Sequence, residues 1–384
     1  MATGRSSLPW ILVATALLPL QASDVFAAGT AKTLVTFSFD DSLDSHADAA
    51  RILEAHGLRA TFFVNSGRVG LPGYLDWDDL RRMAEAGHEV GGHTIDHTHL
   101  FSDGPAEKRR QICEDRAALV AQGLAPVSFS YPYAEHGPEE ARILTECGYL
   151  FGRAEGGIAE LDEEDDRPVA EAIPPANRLM LRTRPGVTRE WSVEDLQAYV
   201  ERTEKAGGGW MNFTFHDLLP SCGAKNYCMA PEDLEAFVAW IAQRRALGTE
   251  VVTVAQAFTP TLVDRRSPKI ALSAPGGPDA VLADTYELRA LASDDVAVDR
   301  VYFIAGYRIV ARANAWPWVA SWDTRSMENG TYELRAIAVD RSGRIGVAPV
   351  RMIRVDNEVE AAPLFRRKPT RAIAPPAVRQ RQPQ

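Results

Sequence analysis

The sequence predicts an α/β domain followed by a small all-β sandwich, and three observations carry that reading. From about residue 32 to 260, short β-rich runs alternate with stretches of helical spacing, the rhythm of an α/β barrel or a doubly wound sheet. From about 268 to 356 helical periodicity vanishes, and short alternating runs recur between turn signals, as in a β-sandwich. The composition, 46% hydrophobic and 24% charged over 384 residues, is that of a folded globular chain long enough for two or three domains.

In the first region, residues 34–39 read as a strand, 44–56 as a helix closed by Gly57, and 60–64 as a second strand. A helix over 78–86 stops at Gly87 and precedes a short strand at 89–91. A longer helix over 106–122, a strand at 127–130 and a helix over 139–147 with Gly148 as its stop continue the pattern. After an acidic loop around 160–166, the expected elements are a helix at 193–206, a strand at 210–215, a helix at 231–246 and a strand at 249–254.

The second region contains an internal echo. Thr285-Tyr286-Glu287-Leu288-Arg289-Ala290 returns as Thr331-Tyr332-Glu333-Leu334-Arg335-Ala336, and each copy continues to an aspartate, Asp294 or Asp340. Alternation puts Tyr and Leu of each copy on one face, so both read as half-buried strands. The second copy follows Asn329-Gly330, a hairpin turn signal.

The ends differ from the body. Arg5, an apolar run over 8–20 and Val25-Phe26-Ala27 form a secretory signal peptide over 1–27, which predicts a secreted or periplasmic protein. The apolar run is shorter than the ~20 residues a membrane span needs, Pro9 and Pro19 interrupt it, and no later segment is long and apolar enough to span. Residues 361–384 hold six basic residues, five prolines and no acid, and read as a disordered basic tail. With net charge -10 overall, the rest of the chain carries about -16, so the tail could lie on an acidic surface polymer or simply be solvated. An acidic body argues against a nucleic-acid partner, which requires a basic face.

Cys113, Cys147, Cys222 and Cys228 are an even set in a chain bound for an oxidising compartment. Cys222 and Cys228 close a short loop containing Gly223, which favours pairing them and leaves Cys113 with Cys147. Sequence alone leaves the connectivity open.

Four motifs carry chemistry. Asp40 and Asp41 end a hydrophobic strand in Ser38-Phe39-Asp40-Asp41-Ser42, where crowded carboxylates call for a cation or a proton, although such pairs also cap helices. In His93-Thr94-Ile95-Asp96-His97 two histidines four apart on one helical turn would face the same way, a spacing suited to a divalent metal, with His99 near the site or outside it. Ser130-Tyr131-Pro132-Tyr133 ends the strand from Val127, and a backbone N–H after the proline could serve as an oxyanion donor. His216 ends the strand over 210–215. Sites of barrels and open α/β sheets form at the C-terminal ends of strands, where distant residues converge.

These motifs resemble the polysaccharide deacetylase family, also called the NodB homology domain or carbohydrate esterase family 4. Its TFDDG motif is matched by residues 38–42, its HxxxH by His93 to His97, its RxPY in part by Ser130 to Tyr133, and its LxLxH by Phe213-Thr214-Phe215-His216. The resemblance implies a distorted (β/α) barrel over 30–262. It also implies that Asp40 is the general base, that Asp41, His93 and His97 bind a divalent metal, usually zinc, that His216 is the general acid, and that the Tyr133 N–H is an oxyanion donor. The substrate class implied is an acetylated polysaccharide or amino-sugar polymer. Two features depart from the family: serine stands where RxPY has arginine, and the aspartate-tryptophan motif that orients the acid histidine is not found. Of Arg178, Arg182 and Arg184, Arg182 is the favoured replacement partner for the base. Residues 268–356 resemble bacterial immunoglobulin-like modules, in which Trp316 and Trp318 could form a sugar platform or pack in the core.

The leading functional expectation is N-deacetylation of a glycan. Its rivals are O-acetyl ester hydrolysis at the same site and a catalytically silent glycan-binding protein.

Overall fold

A computed structural model describes residues 33–161, 166–262, 264–277 and 279–358. The expected signal peptide and basic tail lie outside the described residues.

Strand β1 (Thr33–Phe39) is the axis of the first domain. It is buried almost throughout, as a parallel strand covered on both faces must be. One edge pairs in parallel with β7 (Gly209–Phe215) along its whole length, from Thr33 opposite Gly209 to Phe39 opposite Phe215. The other edge is divided. Its first half pairs with β10 (Thr249–Val251) and its last two residues with β2 (Thr61–Val64). Beyond β2 the parallel sheet continues through β3 (Glu89–Gly92), β4 (Ser128–Ser130), β5 (Phe151–Gly157) and β6 (Leu181–Thr183). The gap between β6 and β7 is partly bridged, since the Val187 N–H donates to the Thr214 carbonyl at 2.8 Å and Glu171 forms an antiparallel bridge with Trp210. The result is the expected distorted (β/α) barrel.

Helices α1 (His46–Ala55), α2 (Trp77–Glu85), α3 (Pro105–Ala121), α4 (Pro138–Cys147), α5 (Val193–Lys205) and α6 (Pro231–Ala242) cover the sheet. Their starts are written locally. Asp76 with Asp79 and Ser192 with Asp195 form capping boxes that satisfy orphan N–H groups of α2 and α5, and proline opens α3, α4 and α6 where its missing N–H does no harm. Between sheet and helices sits an aromatic core of Phe37, Phe39, Phe62, Phe213, Phe215 and Phe237, all at most 1% exposed.

The ends of two expected elements move. The strand over 249–254 stops at Val251, because Thr253 and Gln256 form a capping box that starts α7 (Val254–Phe258). The helix over 231–246 ends at Ala242 and finishes as a single 3-10 segment running to Gly248. Strands β5 and β6 have no counterpart among the elements the sequence predicts. Gly152, where a side chain would run into the Leu179 carbonyl, and the charged Arg153 interrupt the apolar run of β5, while β6 is three residues long.

Both disulfides form in the favoured pairing, Cys113 with Cys147 and Cys222 with Cys228. The first ties α3 to α4. The second closes the loop between the short paired strands β8 (Asp217–Leu218) and β9 (Cys228–Met229), directly after His216.

The second domain is a two-sheet sandwich. One sheet holds β11 (Lys269–Ala274), β13 (Thr285–Ser293) and β16 (Val319–Asp323). The other holds β12 (Ala280–Leu282), β14 (Val298–Ala305), β15 (Arg308–Ala313), β17 (Gly330–Asp340), β18 (Ile345–Val347) and β19 (Arg351–Val355). Both echo copies bury the same positions, Leu288 with Ala290 and Leu334 with Ala336. Trp318 is buried among them as a core residue, and Trp316 is half-buried beneath the Arg109 guanidinium, 5.7 Å from its ring centre. The sandwich abuts the barrel: Val296 and Ala297 pack with Phe151 and Phe258, and the Arg178 guanidinium donates to the Asp295 carbonyl at 2.9 Å.

Candidate active site

The four motifs meet at the C-terminal rim of the barrel. Asp40 and Asp41 follow β1, His93 follows β3, Ser130 ends β4 and His216 follows β7. Of the eight described non-glycine residues with positive φ, six lie in these loops: Asp41, Ser42, Thr94, His97, Tyr133 and Ala134. Backbone held in this disfavoured region persists where surrounding structure dictates it, and it clusters at functional sites. Asp41, at φ 82°, turns out of the extended conformation of β1. The strain also changes one expectation. The segment from His93 to His97 is not helical; turns at Thr94 and His97, rather than helical spacing, bring the two imidazoles together.

One ligand atom from each of Asp41, His93 and His97 lies within 4.8 Å of the others. Nε2 of His97 is 3.2 Å from Asp41 Oδ1, and Nε2 of His93 is 3.6 Å from the same oxygen. His93 is oriented for this. Its Nδ1 lies 2.7 Å from the Ser130 carbonyl, so Nδ1 carries the proton and donates, which leaves the Nε2 lone pair facing Asp41. The backbone beneath is fixed by Asp115, which is buried and accepts from the His93 N–H at 3.2 Å and the Ser66 N–H at 2.9 Å. Burial alone would penalise three such groups. It lowers the His97 pKa to about 4, with the His93 charge adding to the effect, so His97 is neutral at pH 7. Burial also raises Asp41, but the neighbouring His93 outweighs it and holds that carboxyl ionised. Two imidazoles beside an anionic carboxylate, with a buried Asp41 Oδ1 that has no hydrogen-bond partner among the described residues, are a donor set a divalent cation would complete.

Asp40 lies beside this group, its Oδ2 3.9 Å from His93 Nε2. The sequence favours Arg182 as the partner of Asp40, and the structure corrects this. The Arg182 guanidinium donates to both oxygens of the buried Glu171, at 3.0 and 2.7 Å, and so is committed away from Asp40. Arg178 binds backbone carbonyls at the domain junction, and Arg184 is sandwiched between Trp191 and Tyr199, 3.7 and 3.6 Å from their ring centres. The guanidinium that reaches Asp40 belongs to Arg153. Its Nη2 donates to Asp40 Oδ2 and to Ser130 Oγ, while Ser130 Oγ donates to Asp40 Oδ2 at 3.0 Å. Arg153 on β5 is the register partner of Ser130 on β4, so the guanidinium reaches Asp40 from the neighbouring strand. Nη1 of Arg153 is held by Thr214 Oγ1 at 3.2 Å and Glu155 at 3.3 Å. Burial pushes the Asp40 pKa up, but Arg153, then His93 and His216, prevail and hold it below the ordinary carboxylate value. The signal for Arg153 was present in the sequence as a lone arginine in the apolar run Tyr149-Leu150-Phe151-Gly152-Arg153.

His216 completes the rim. Its carbonyl lies 2.9 Å from His46 Nε2, and its ring lies 5.0 Å from that of Tyr227. Its Nδ1 is buried and has no hydrogen-bond partner among the described residues, in keeping with the missing aspartate of the orienting motif. The Tyr133 ring stands edge-on to His97 at 4.5 Å and stacks on His99 at 3.7 Å. His99 itself is outside the ligand group, its Nδ1 2.9 Å from Glu135.

Two regions of the chain match known protein families. Residues 27–152 match the family described as polysaccharide deacetylase, and residues 268–336 match the bacterial Ig domain. The peptidoglycan-N-acetylglucosamine deacetylase PgdA of Listeria monocytogenes is 32% identical over 118 residues, which cover 30% of this chain and 24% of that protein. A chitin deacetylase of Arthroderma benhamiae is 28% identical over 125 residues, 31% of this chain and 33% of that one. Among solved structures, a family 4 acetyl xylan esterase from Clostridium thermocellum in complex with cobalt gives a TM-score of 0.39 at 22% identity, over 59% of this chain and 91% of that one. This chain spans less than half the length of these curated relatives. It carries a polysaccharide deacetylase domain of the NodB homology type, followed by a bacterial immunoglobulin-like domain.

Proposed function

We propose that this chain is a secreted, divalent-metal-dependent deacetylase that hydrolyses N-acetyl groups on an amino-sugar polymer. The observation that carries the reading is the convergence of Asp41, His93 and His97 within 4.8 Å, with the ionised Asp40 against them. Two imidazoles and a carboxylate suit zinc. The chemistry such an ion supplies when held there is Lewis acidity, which polarises the acetyl carbonyl and lowers the pKa of water.

The protein's own groups do the rest. Asp40, anchored by Arg153 and Ser130, takes a proton from the attacking water as its oxygen bonds to the acetyl carbon. The Tyr133 N–H, on backbone turned to φ 55°, donates to the carbonyl oxygen as negative charge gathers there. His216 gives a proton to the sugar nitrogen as the C–N bond breaks, so that acetate and a free amine leave. Arg153 bears on the rival reading too: the serine that departs from RxPY is one motive for a silent glycan binder and the Ig-like module the other, and a guanidinium bound to Asp40 answers the first. Export rests on residues 1–27 together with the two disulfides, which persist in oxidising compartments.

The test is acetate release from N-acetylated chitin oligomers and peptidoglycan set against O-acetylated xylan. Release from the amide substrates supports the proposal; release from xylan alone would make the protein an O-acetyl esterase. Glycan affinity with no acetate from any substrate would make it a binding protein.

A further inference from the structure

The echo in the sandwich plays no part in the site above, yet it brings two aspartates together. Asp294 follows β13 and Asp340 ends β17, so the two copies deliver equivalent carboxylates to the same end of the facing sheets. There they meet Asp264, from the connector that leaves the barrel after α7. One carboxylate oxygen of each lies within 4.8 Å of the others. Asp340 is 1% exposed, and the Asp264 side chain 5%.

Each carboxylate is held by one oxygen and offers the other. Oδ2 of Asp294 accepts from the Val296 and Ala297 N–H groups at 2.8 and 3.1 Å. Oδ1 of Asp340 accepts from the Arg344 N–H at 2.8 Å. Oδ1 of Asp264 accepts from the Arg266 N–H at 3.3 Å and has the Arg344 guanidinium 3.5 Å away. The remaining oxygens, Asp264 Oδ2, Asp294 Oδ1 and Asp340 Oδ2, are buried and have no hydrogen-bond partner among the described residues. Buried carboxylate oxygens without partners are rare and unfavourable, and three facing one another compound the penalty through like-charge repulsion. Arg344 offsets one charge, which leaves two.

We propose that Asp264, Asp294 and Asp340 bind a calcium ion that fastens the immunoglobulin-like domain to the barrel. A divalent cation matches the residual charge, and an all-oxygen set without nitrogen or sulfur selects a hard ion. Calcium, unlike magnesium, accepts irregular geometry and completes six to eight ligands with carbonyls and water. A cleft lined by Leu150, Thr259, Leu262, Val296 and Arg341 opens at Asp264 and provides an approach for the ion. The site joins the connector to both sheets, so its occupancy bears on how firmly the two domains hold together. It does not depend on the deacetylase reading.

The test titrates calcium chloride into the full chain after chelator treatment, by calorimetry, and follows the melting temperature with and without calcium. The wild-type chain should bind calcium and melt higher with it. The variant Asp41→Asn/His97→Ala, which disables the other cluster, should keep both responses. Asp294→Asn should weaken calcium binding on the order of tenfold or more and, without calcium, should melt no lower than wild type because it removes one crowded charge. A wild-type chain that takes up no calcium overturns the proposal. So does calcium binding that is lost in Asp41→Asn/His97→Ala or unchanged in Asp294→Asn. Should Asp294→Asn fail to fold, the wild-type titration and Asp340→Asn decide the matter in the same way.

Discussion

Replacing Arg153 with leucine removes the guanidinium from Asp40 and leaves a carboxylate where water cannot compensate it. The Arg153 side chain is 1% exposed and that of Asp40 4%, so the lost interaction is little screened by solvent. Breaking a buried pair by deleting one partner destabilises a protein by about 3–5 kcal/mol, a large share of the ~5–15 kcal/mol that holds most domains. The effect on ionisation has a definite sign. Burial raises the Asp40 pKa and Arg153 is the largest opposing influence, so without Arg153 the pKa rises. The base is then protonated over more of the acid range, and the acid limb of kcat/KM moves to higher pH. For every tenfold loss of ionised base below the new pKa, the carboxylate has lost ~1.4 kcal/mol of stabilisation relative to the acid. With general-base contributions of about 10²–10⁴ as the ceiling, a loss on the order of a hundredfold at pH 6, and a smaller one at pH 8, is the expected outcome. Acetate release measured from pH 5 to 9, beside urea denaturation, reads both effects. The exchange Ser130→Arg/Arg153→Ser, which moves the charge across the register pair, should recover part of the activity. An Arg153→Leu variant that folds and keeps both its kcat/KM and its acid limb would refute the reasoning.

Four further outcomes follow from the structure. His97→Ala should abolish tight binding of one divalent metal and reduce activity about a thousandfold or more, read by metal analysis and acetate release. His88, whose side chain is 0% exposed and whose pKa burial lowers to about 4, stabilises the fold only while neutral. That stability is complete above its unfolded value of 6.5 and is lost as pH falls from there to about 4, roughly 3 kcal/mol in all; a His88→Gln variant should show a shallower acid decline in denaturation midpoint. Opening the Cys113–Cys147 link, which joins residues 34 apart, should destabilise the chain by about 4 kcal/mol, against about 2 kcal/mol for Cys222–Cys228, 6 apart, in serine variants compared by denaturation. Gly92→Ala would drive a methyl group into Tyr149 and Asp115, and should lower both stability and metal affinity because Asp115 holds the His93 backbone.

The parts of the fold legible in the sequence are those whose information is local. Periodic apolar spacing with a cap and a terminal glycine locates α1 to α5 to within a residue or two, and the strand-end motifs locate Asp40, Asp41, His93, His97 and His216. What escapes depends on neighbours distant in sequence. Arg153 matters only because β5 lies beside β4, a pairing that no run of residues announces. Arg182 is the arginine the sequence favours, but in the fold its guanidinium is taken by Glu171. The HxxxH spacing identifies the right residues by a helical argument that does not apply; positive φ at Thr94 and His97 does what a helical turn was expected to do. The three-aspartate cluster likewise requires knowing that two sandwich sheets and the connector end at one point.

The most direct test of the central claim is acetate release from N-acetylated chitin oligomers by the wild-type chain and by Asp40→Asn, each with and without a chelator. The proposed mechanism predicts release by the untreated wild type, loss with chelator, recovery when zinc is returned, and little activity from Asp40→Asn under any condition. Acetate release that survives both the chelator and the substitution would contradict it.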